Sequence, residues 1–261
     1  MKDINYIKDY YNRYYTDKLK FLFNKTLILQ AFKPYENDKK QGKWLSKRMG
    51  IKGNERILDC GCGIGGVMKQ IALLYPNTEI DGINVSDKQI EMGKEVLKDL
   101  NNCNLSVQDY TDTDYKDNTF DIVYFCESMG YSNFEKVIKE CIRILKPNGK
   151  LYINEIVVKC DKDKLNKKQL NKLNHFIDSW FYNVYDCKTI INKVEKIGGF
   201  ELIDNKKFLK PSLHWINAVR KSGLKRHHTA KLSNIPPIRG ADFLYKAVLR
   251  NGEWFVYNNI I

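Results

Sequence analysis

From residue 51 onward the chain alternates short apolar runs with amphipathic stretches, which predicts strand and helix in turn. Apolar runs over 54–58, 79–85, 105–108, 120–125, 150–158 and 200–208 read as strands. Helical spacing of apolar positions falls over 67–74, 87–100, 134–145 and 187–197. Ser86 stands where an N-cap belongs, Lys146-Pro147-Asn148-Gly149 stops the third of these helices, and Gly198-Gly199 closes the fourth. Strands joined through helices build a parallel sheet covered on both faces, so the fold class is α/β and doubly wound. The ends differ. Tyr6, Tyr10, Tyr11, Tyr14, Tyr15, Leu19, Leu22 and Phe23 recur at helical spacing before the first strand. Residues 159–172 are polar and 175–185 aromatic, while 243–249 and 254–260 flank Arg250-Asn251-Gly252-Glu253, a hairpin signal.

The first strand runs into Asp59-Cys60-Gly61-Cys62-Gly63-Ile64-Gly65-Gly66. Four glycines allow a tight turn against a ligand, and the helix that follows presents bare N–H groups, as in a nucleotide pocket. Gly61, Gly63 and Gly66 satisfy G-x-G-x-x-G, a spacing shared by two cofactor classes. Asp59 discriminates between them. A carboxylate two residues before the first glycine repels a pyrophosphate and suits a ligand carrying an amino group and a sulfonium, S-adenosylmethionine.

The string Asp-x-Gly-x-Gly-x-Gly over 59–65 resembles the cofactor loop of the class I S-adenosylmethionine-dependent methyltransferases. Gly82-Ile83-Asn84-Val85-Ser86, Gln108-Asp109, Phe120-Asp121-Ile122-Val123 and Leu145-Lys146-Pro147-Asn148-Gly149 follow in that family's order. The resemblance implies a Rossmann-like, mostly parallel seven-stranded sheet with helices on both faces. It also implies an N-terminal helical cap over 1–48 and a methyltransferase domain over 49–261, with a substrate-covering insertion at about 159–186 and a C-terminal hairpin. The implied cofactor contacts are Asp59, Gly61, Gly63, Gly65, Asn84, Val85, Gln89, Gln108, Asp109 and Tyr110. A tyrosine-rich entry helix would add Tyr10 or Tyr11 at the cofactor carboxylate.

One departure narrows the resemblance. The family usually ends its second strand with an acid, where this chain has Asn84. Gly82-Ile83-Asn84-Val85-Ser86 with Gln89 is similar to the Gly-x-Thr-x-Ser-x-x-Gln pattern of carbon methyltransferases acting on lipids and isoprenoids. Such enzymes often carry a glutamate beyond the fourth strand, and Glu127 stands there in an apolar setting that raises a carboxyl pKa. Methyl transfer to an alkene carbon makes a carbocation, and Glu127 is the candidate catalytic base. Trp180, Phe181, Tyr182 and Tyr185 would offer cation–π faces, and Trp215 is a further expected substrate contact.

Charge adds a partner class. Lys plus Arg number 44 against 31 Asp plus Glu, and no acid lies between Asn205 and Ala241, where nine Lys or Arg side chains and three histidines crowd. Such a stretch fits a diphosphate, a membrane surface or nucleic acid. The expected acceptor is therefore a prenyl diphosphate, with Mg²⁺ as its counter-ion. The alternatives are an oxygen or nitrogen of a small metabolite or phospholipid, and RNA on charge alone. No Asn/Asp-Pro-Pro-Tyr string or RNA-binding module is present, so the expected partner is a small anionic or isoprenoid molecule and not nucleic acid. Homo-oligomerisation stays open. Seven cysteines without zinc spacing read as reduced thiols, with no protein metal site expected. No apolar run reaches the roughly 20 residues of a membrane span and no signal-peptide core is seen, so a cytoplasmic protein is expected.

Overall fold

The computed structural model describes residues 3–15, 26–158, 160–208 and 238–248. Leu19, Leu22, Phe23, Trp215, the bulk of the basic stretch and the hairpin arm at 254–260 lie outside the described residues, as do the side chains of Tyr14, Tyr15 and Trp180. The strands are β1 (Arg56–Cys60), β2 (Glu79–Asn84), β3 (Cys103–Val107), β4 (Phe120–Cys126), β5 (Leu145–Val158), β6 (Tyr185–Asp186), β7 (Phe200–Phe208) and β8 (Ile238–Ala247). They form one sheet in the order β3-β2-β1-β4-β5-β8-β7, with the two-residue β6 also paired to β5. The sheet is parallel except for β8, which runs antiparallel to both β5 and β7.

Helices cover both faces. They are α1 (Ile4–Asp9, continued by a π-helical turn Tyr10–Tyr15), α2 (Asp38–Met49), α3 (Gly66–Leu74), α4 (Asp87–Leu97), α5 (Phe134–Ile144), α6 (Lys167–Trp180) and α7 (Cys187–Ile197). Burial on two faces explains why β1 and β4 read as continuous apolar runs. Ser86 caps α4 by accepting the Gln89 N–H, as its position predicts.

Several boundaries depart from the sequence reading; β5, for instance, starts at Leu145 rather than at Lys150, because Leu145 already pairs with Phe120 of β4. β1 starts at Arg56 because the Glu55 carboxylate gathers the N–H groups of Lys52, Gly53 and Asn54 into a turn. Phe243 to Ala247, in the first arm of the expected hairpin, belong to β8 between β5 and β7; the second arm lies outside the described residues.

A chain of polar side chains crosses this apolar interior. Arg48 of α2 makes a two-pronged ion pair with the fully buried Asp242 of β8, both contacts at 2.7 Å, and a third contact to Asp204 at 2.6 Å. Tyr152 donates to Asp242 at 3.0 Å, Asn154 to Tyr152 at 3.4 Å, Gln30 to Asn154 at 3.0 Å, and Gln41 to Gln30 at 2.8 Å. The chain ties α2 and the segment before it to the middle of the sheet. Arg48→Met should cost about 3–5 kcal/mol in urea unfolding, because Asp242 is left charged and unpaired. A loss under about 1 kcal/mol, the value of a surface pair, would contradict that role.

Candidate functional site

A cavity of about 1140 Å³, counted with the solvent at its open mouth, lies at the carboxyl ends of β1, β2 and β4, where an open parallel sheet holds its ligands. Gly61, Gly63, Asn84, Val85, Gln89 and Tyr110 line it from the sheet side. Ile4, Ile7 and Tyr11 of the N-terminal helix, with Leu29, Ala31 and Phe32 of the following segment, close the other side. A smaller neighbouring space shares Leu29, Gly61, Gly63, Gln89 and Cys126 with the first and is bordered by Asp59. Gly63 takes a left-handed φ of 56° and has nothing within 4 Å of a Cβ position, so the loop is open toward the cavity there. Gly65 serves as the left-handed N-cap of α3 rather than as a lining residue.

These residues fit S-adenosylmethionine. Asp59 is 2% exposed and accepts the Tyr124 hydroxyl at 2.6 Å; burial pushes its pKa up to about 7, against that hydrogen bond. A cation beside it restores the charge. Asn84 donates to Gln89 at 2.8 Å and accepts the Ser86 N–H at 3.1 Å, so the two amides stand braced at the end of β2. Asn12 accepts the Ser86 hydroxyl at 2.6 Å and Lys8 pairs with Asp87 at 3.1 Å, docking the N-terminal helix on α4.

Glu127 follows β4 in a left-handed conformation, φ 55°, uncommon for a residue with a side chain. The conformation turns its carboxylate toward the N-terminal segment. Oε2 accepts the Ala31 N–H at 2.5 Å and Oε1 the Phe32 N–H at 2.9 Å. Burial raises its pKa to about 7, and those two hydrogen bonds and the charge of Lys33 oppose the rise. Lys33 is itself buried, its ammonium donating to Thr26 Oγ1 and the Ile28 carbonyl, with its pKa lowered by burial. Asp38 accepts from Thr26 Oγ1 and the Leu27 N–H, so residues 26–33 form a closed loop around a buried ammonium.

The sequence reading missed Glu155, which sits on β5 one residue after Asn154 and is 5% exposed. It accepts the N–H groups of Ser128 and Met129 and the hydroxyl of Tyr182. Burial, with the Glu127 charge nearby, raises its pKa to about 8. An acid inside an otherwise apolar predicted strand is the signal that marked it.

Other expected residues fall elsewhere. Tyr11, not Tyr10, lines the cavity, donating to the Tyr131 hydroxyl at 2.6 Å; Tyr10 packs on Tyr11 and Phe181. Gln108 and Asp109 line neither space: Gln108 bonds Ser106 and the Asp114 N–H, and Asp109 accepts the Thr111 N–H, closing their own loop. Tyr182 lines the cavity; Phe181 packs on Tyr6 and Tyr10, and Tyr185 lies against Phe134 in a separate small crevice. The aromatic walls therefore also include Phe32, Tyr131 and Phe176, residues without a motif to betray them.

The strand order, the glycine turn after β1 and the cavity beside it define a class I methyltransferase. Residues 51–210 match the methyltransferase domain family, and the chain belongs to it. Sterol 4-C-methyltransferase strm-1 of Caenorhabditis elegans is 33% identical over 50% of this chain and 40% of that protein. The chain thus spans less than half the length of this curated relative. Among solved structures, the [4+2]-cyclase SpnF superposes with a TM-score of 0.75 at 17% identity, covering 95% of this chain and 98% of that one. Geranyl diphosphate C-methyltransferase from Streptomyces coelicolor A3(2), solved with Mg²⁺, geranyl diphosphate and S-adenosyl-L-homocysteine, gives 0.66 at 16% identity over 81% and 79%. These two likenesses show the fold. No described helix is long and apolar enough to cross a membrane.

Because the Asp59 pKa is raised, binding S-adenosylmethionine at pH 6 should release close to one proton, and at pH 8.5 almost none. Calorimetry in buffers of different ionisation enthalpy measures this, and Asp59→Asn should remove the release. Binding at pH 6 without proton release would show that the cofactor's charge lies away from Asp59.

Proposed function

We propose that the protein transfers the methyl group of S-adenosylmethionine to a carbon of an uncharged, sterol-like isoprenoid. The observation that carries this reading is the composition of the cavity wall. Among the described residues no Lys, Arg or His lines it, and its single ionisable carboxyl is Glu127. Ile4, Ile7, Leu29, Phe32, Ile156 and Phe176 give it apolar walls, and its other polar groups, among them Asn84, Gln89, Ser128 and Ser132, are uncharged. A diphosphate drawn in there would lose its water beside a carboxylate, with no cation to replace the hydration. A fused-ring or branched hydrocarbon would lose nothing. The sterol carbon methyltransferases among the relatives support the same class of acceptor.

The bound cofactor supplies a methyl group already activated by its sulfonium. The chain's own residues then position, exclude water and receive a proton. Asn84, Gln89 and the open backbone at Gly63 would hold the cofactor, with Asp59 as the partner for its positive charge, and Tyr11 with the segment 29–32 would shut the cavity. As the acceptor alkene takes the methyl, positive charge develops on the neighbouring carbon. Glu127 removes a proton from the carbon next to it: that C–H bond breaks and its electron pair becomes the new double bond.

A prenyl diphosphate is the second reading, favoured by the acid-free basic stretch, most of which lies outside the described residues. Mg²⁺ would accompany it as counter-ion. Purified protein would be offered S-adenosylmethionine with sterols, acyclic isoprenoids, prenyl diphosphates with and without Mg²⁺, a phospholipid pool and RNA, and scored by mass. A gain of one methylene on sterols or neutral isoprenoids is expected. A gain confined to prenyl diphosphates, or to RNA or phospholipid, would overturn the reading.

Glu127→Gln should lower kcat about 10²–10⁴-fold. The base must be ionised to act, so kcat of the native enzyme should rise as pH increases through about 7. A variant with native kcat, or a profile falling through that range, would remove Glu127 from the proton step.

A further inference from the structure

Helix α2 carries a feature that neither the core nor the cavity explains. Every exposed position between Asp38 and Met49 is a lysine: Lys39, Lys40, Lys43 and Lys47. With the pitch of an α-helix, the four fall within about 100° of the circumference and span about 12 Å along the axis. Residues 39–54 contain no acid, and among the described residues none of the four lysines takes part in an ion pair. The other cation of the helix, Arg48, turns inward to Asp242, and Asp38 is taken by Thr26 and the Leu27 N–H.

Local stability does not account for the strip. Lys39 and Lys40 stand in the first turn, where the helix dipole disfavours a cation, and like charges three and four residues apart repel one another. Only Lys47, in the last turn, suits the dipole. A local cost with no partner inside the chain marks a surface made for something outside it.

We propose that the lysine face of α2 is a docking surface for an anionic phospholipid bilayer. Its charge is complementary to such a surface, and clustered lysines on one helix are a recurring means of binding acidic headgroups. Tyr35, 42% exposed, precedes the helix, and the half-buried Trp44 lies about 40° round it from Lys40. Aromatic side chains of this kind settle at headgroup level. Asp38 ties the first turn of α2 to residues 26–27, and that segment continues into Leu29, Ala31 and Phe32 over the cavity. The strip therefore begins beside the segment that closes the site. The choice of a bilayer over other anionic partners rests on the reading of the acceptor as an uncharged isoprenoid, which resides in a bilayer and not in water.

Cosedimentation of the full chain with vesicles tests the proposal. Each lysine near an anionic bilayer strengthens binding about fivefold, and salt screens the attraction. Phosphatidylcholine vesicles with about 30% phosphatidylserine should bind the native protein at least tenfold more tightly than phosphatidylcholine alone, at low salt. The double variant Lys40→Gln, Lys43→Gln should lose at least about tenfold on the anionic vesicles, and Lys40→Arg, Lys43→Arg should stay within about twofold of native. The chain as a whole is +13, so net charge needs its own control. Lys188 and Lys196 are exposed on α7, on the opposite face of the sheet, and their double change to Gln should cost less than about threefold. Equal losses in the two glutamine pairs, equal binding to neutral and anionic vesicles, or native affinity in Lys40→Gln, Lys43→Gln would overturn the inference. So would an RNA duplex whose binding needs Lys40 and Lys43 while vesicle binding does not. Methyl transfer is scored separately, to isoprenoids dispersed in detergent. Vesicle binding that depends on α2, with no isoprenoid methylated, would count against the acceptor reading alone. Transfer in detergent, with vesicle binding indifferent to α2, would count against this inference alone.

Discussion

Two backbone N–H groups, from Ala31 and Phe32, are donated to the Glu127 carboxylate, and this contact joins the N-terminal segment to the end of β4. Without it, the Ala31 and Phe32 amides would lose their partner over the cavity, and among the described residues only Gln30 would still tie the segment to the sheet, through Asn154. The same contact keeps Glu127 poised. Burial disfavours its charge, the two N–H groups and Lys33 favour it, and the balance falls near neutrality. Closing the cavity and tuning the carboxylate are consequences of one arrangement.

That arrangement rests on a rigid base. The segment's own loop is closed inside by Lys33 and Asp38, and Gln30 connects it to Asn154, whose carbonyl accepts the Glu127 N–H at 2.7 Å. From Asn154 the polar chain continues through Tyr152 to Asp242 and Arg48. A strained φ at Glu127 persists because strand β5 holds it from one side and the N-terminal segment from the other. The sheet is thus continuous, through hydrogen bonds, with the groups that face the cavity.

Most of the sheet was legible because its signal is local. Apolar runs and their caps fall within a few residues of one another, and the glycine loop is a single contiguous string. Asn84, Gly63 and Glu127 fall where they do for the same reason: each ends or closely follows a strand whose position the pattern gives, and Gln89 stands in the first turn of the helix that Ser86 caps. What escaped notice depends on contacts far apart in sequence. Nothing near Ala31 marks its N–H as a partner for a residue 96 positions away. Glu155 lay inside a predicted strand, and only the fold shows that Tyr182 points at it. Asp109 sits at the expected strand end, yet its carboxylate turns back onto Thr111. Strand position fixes a residue's neighbourhood but not the direction of its side chain.

The clamp between Glu127 and the N-terminal segment is tested most directly by hydrogen exchange at the Ala31 and Phe32 amides. Exchange should be slow in the native protein, and at least tenfold faster at those two amides in Glu127→Gln, with amides of β1 and β4 unchanged. Unaltered exchange at Ala31 and Phe32 in that variant would mean that something other than Glu127 closes the cavity, and the account built on that carboxylate would be wrong.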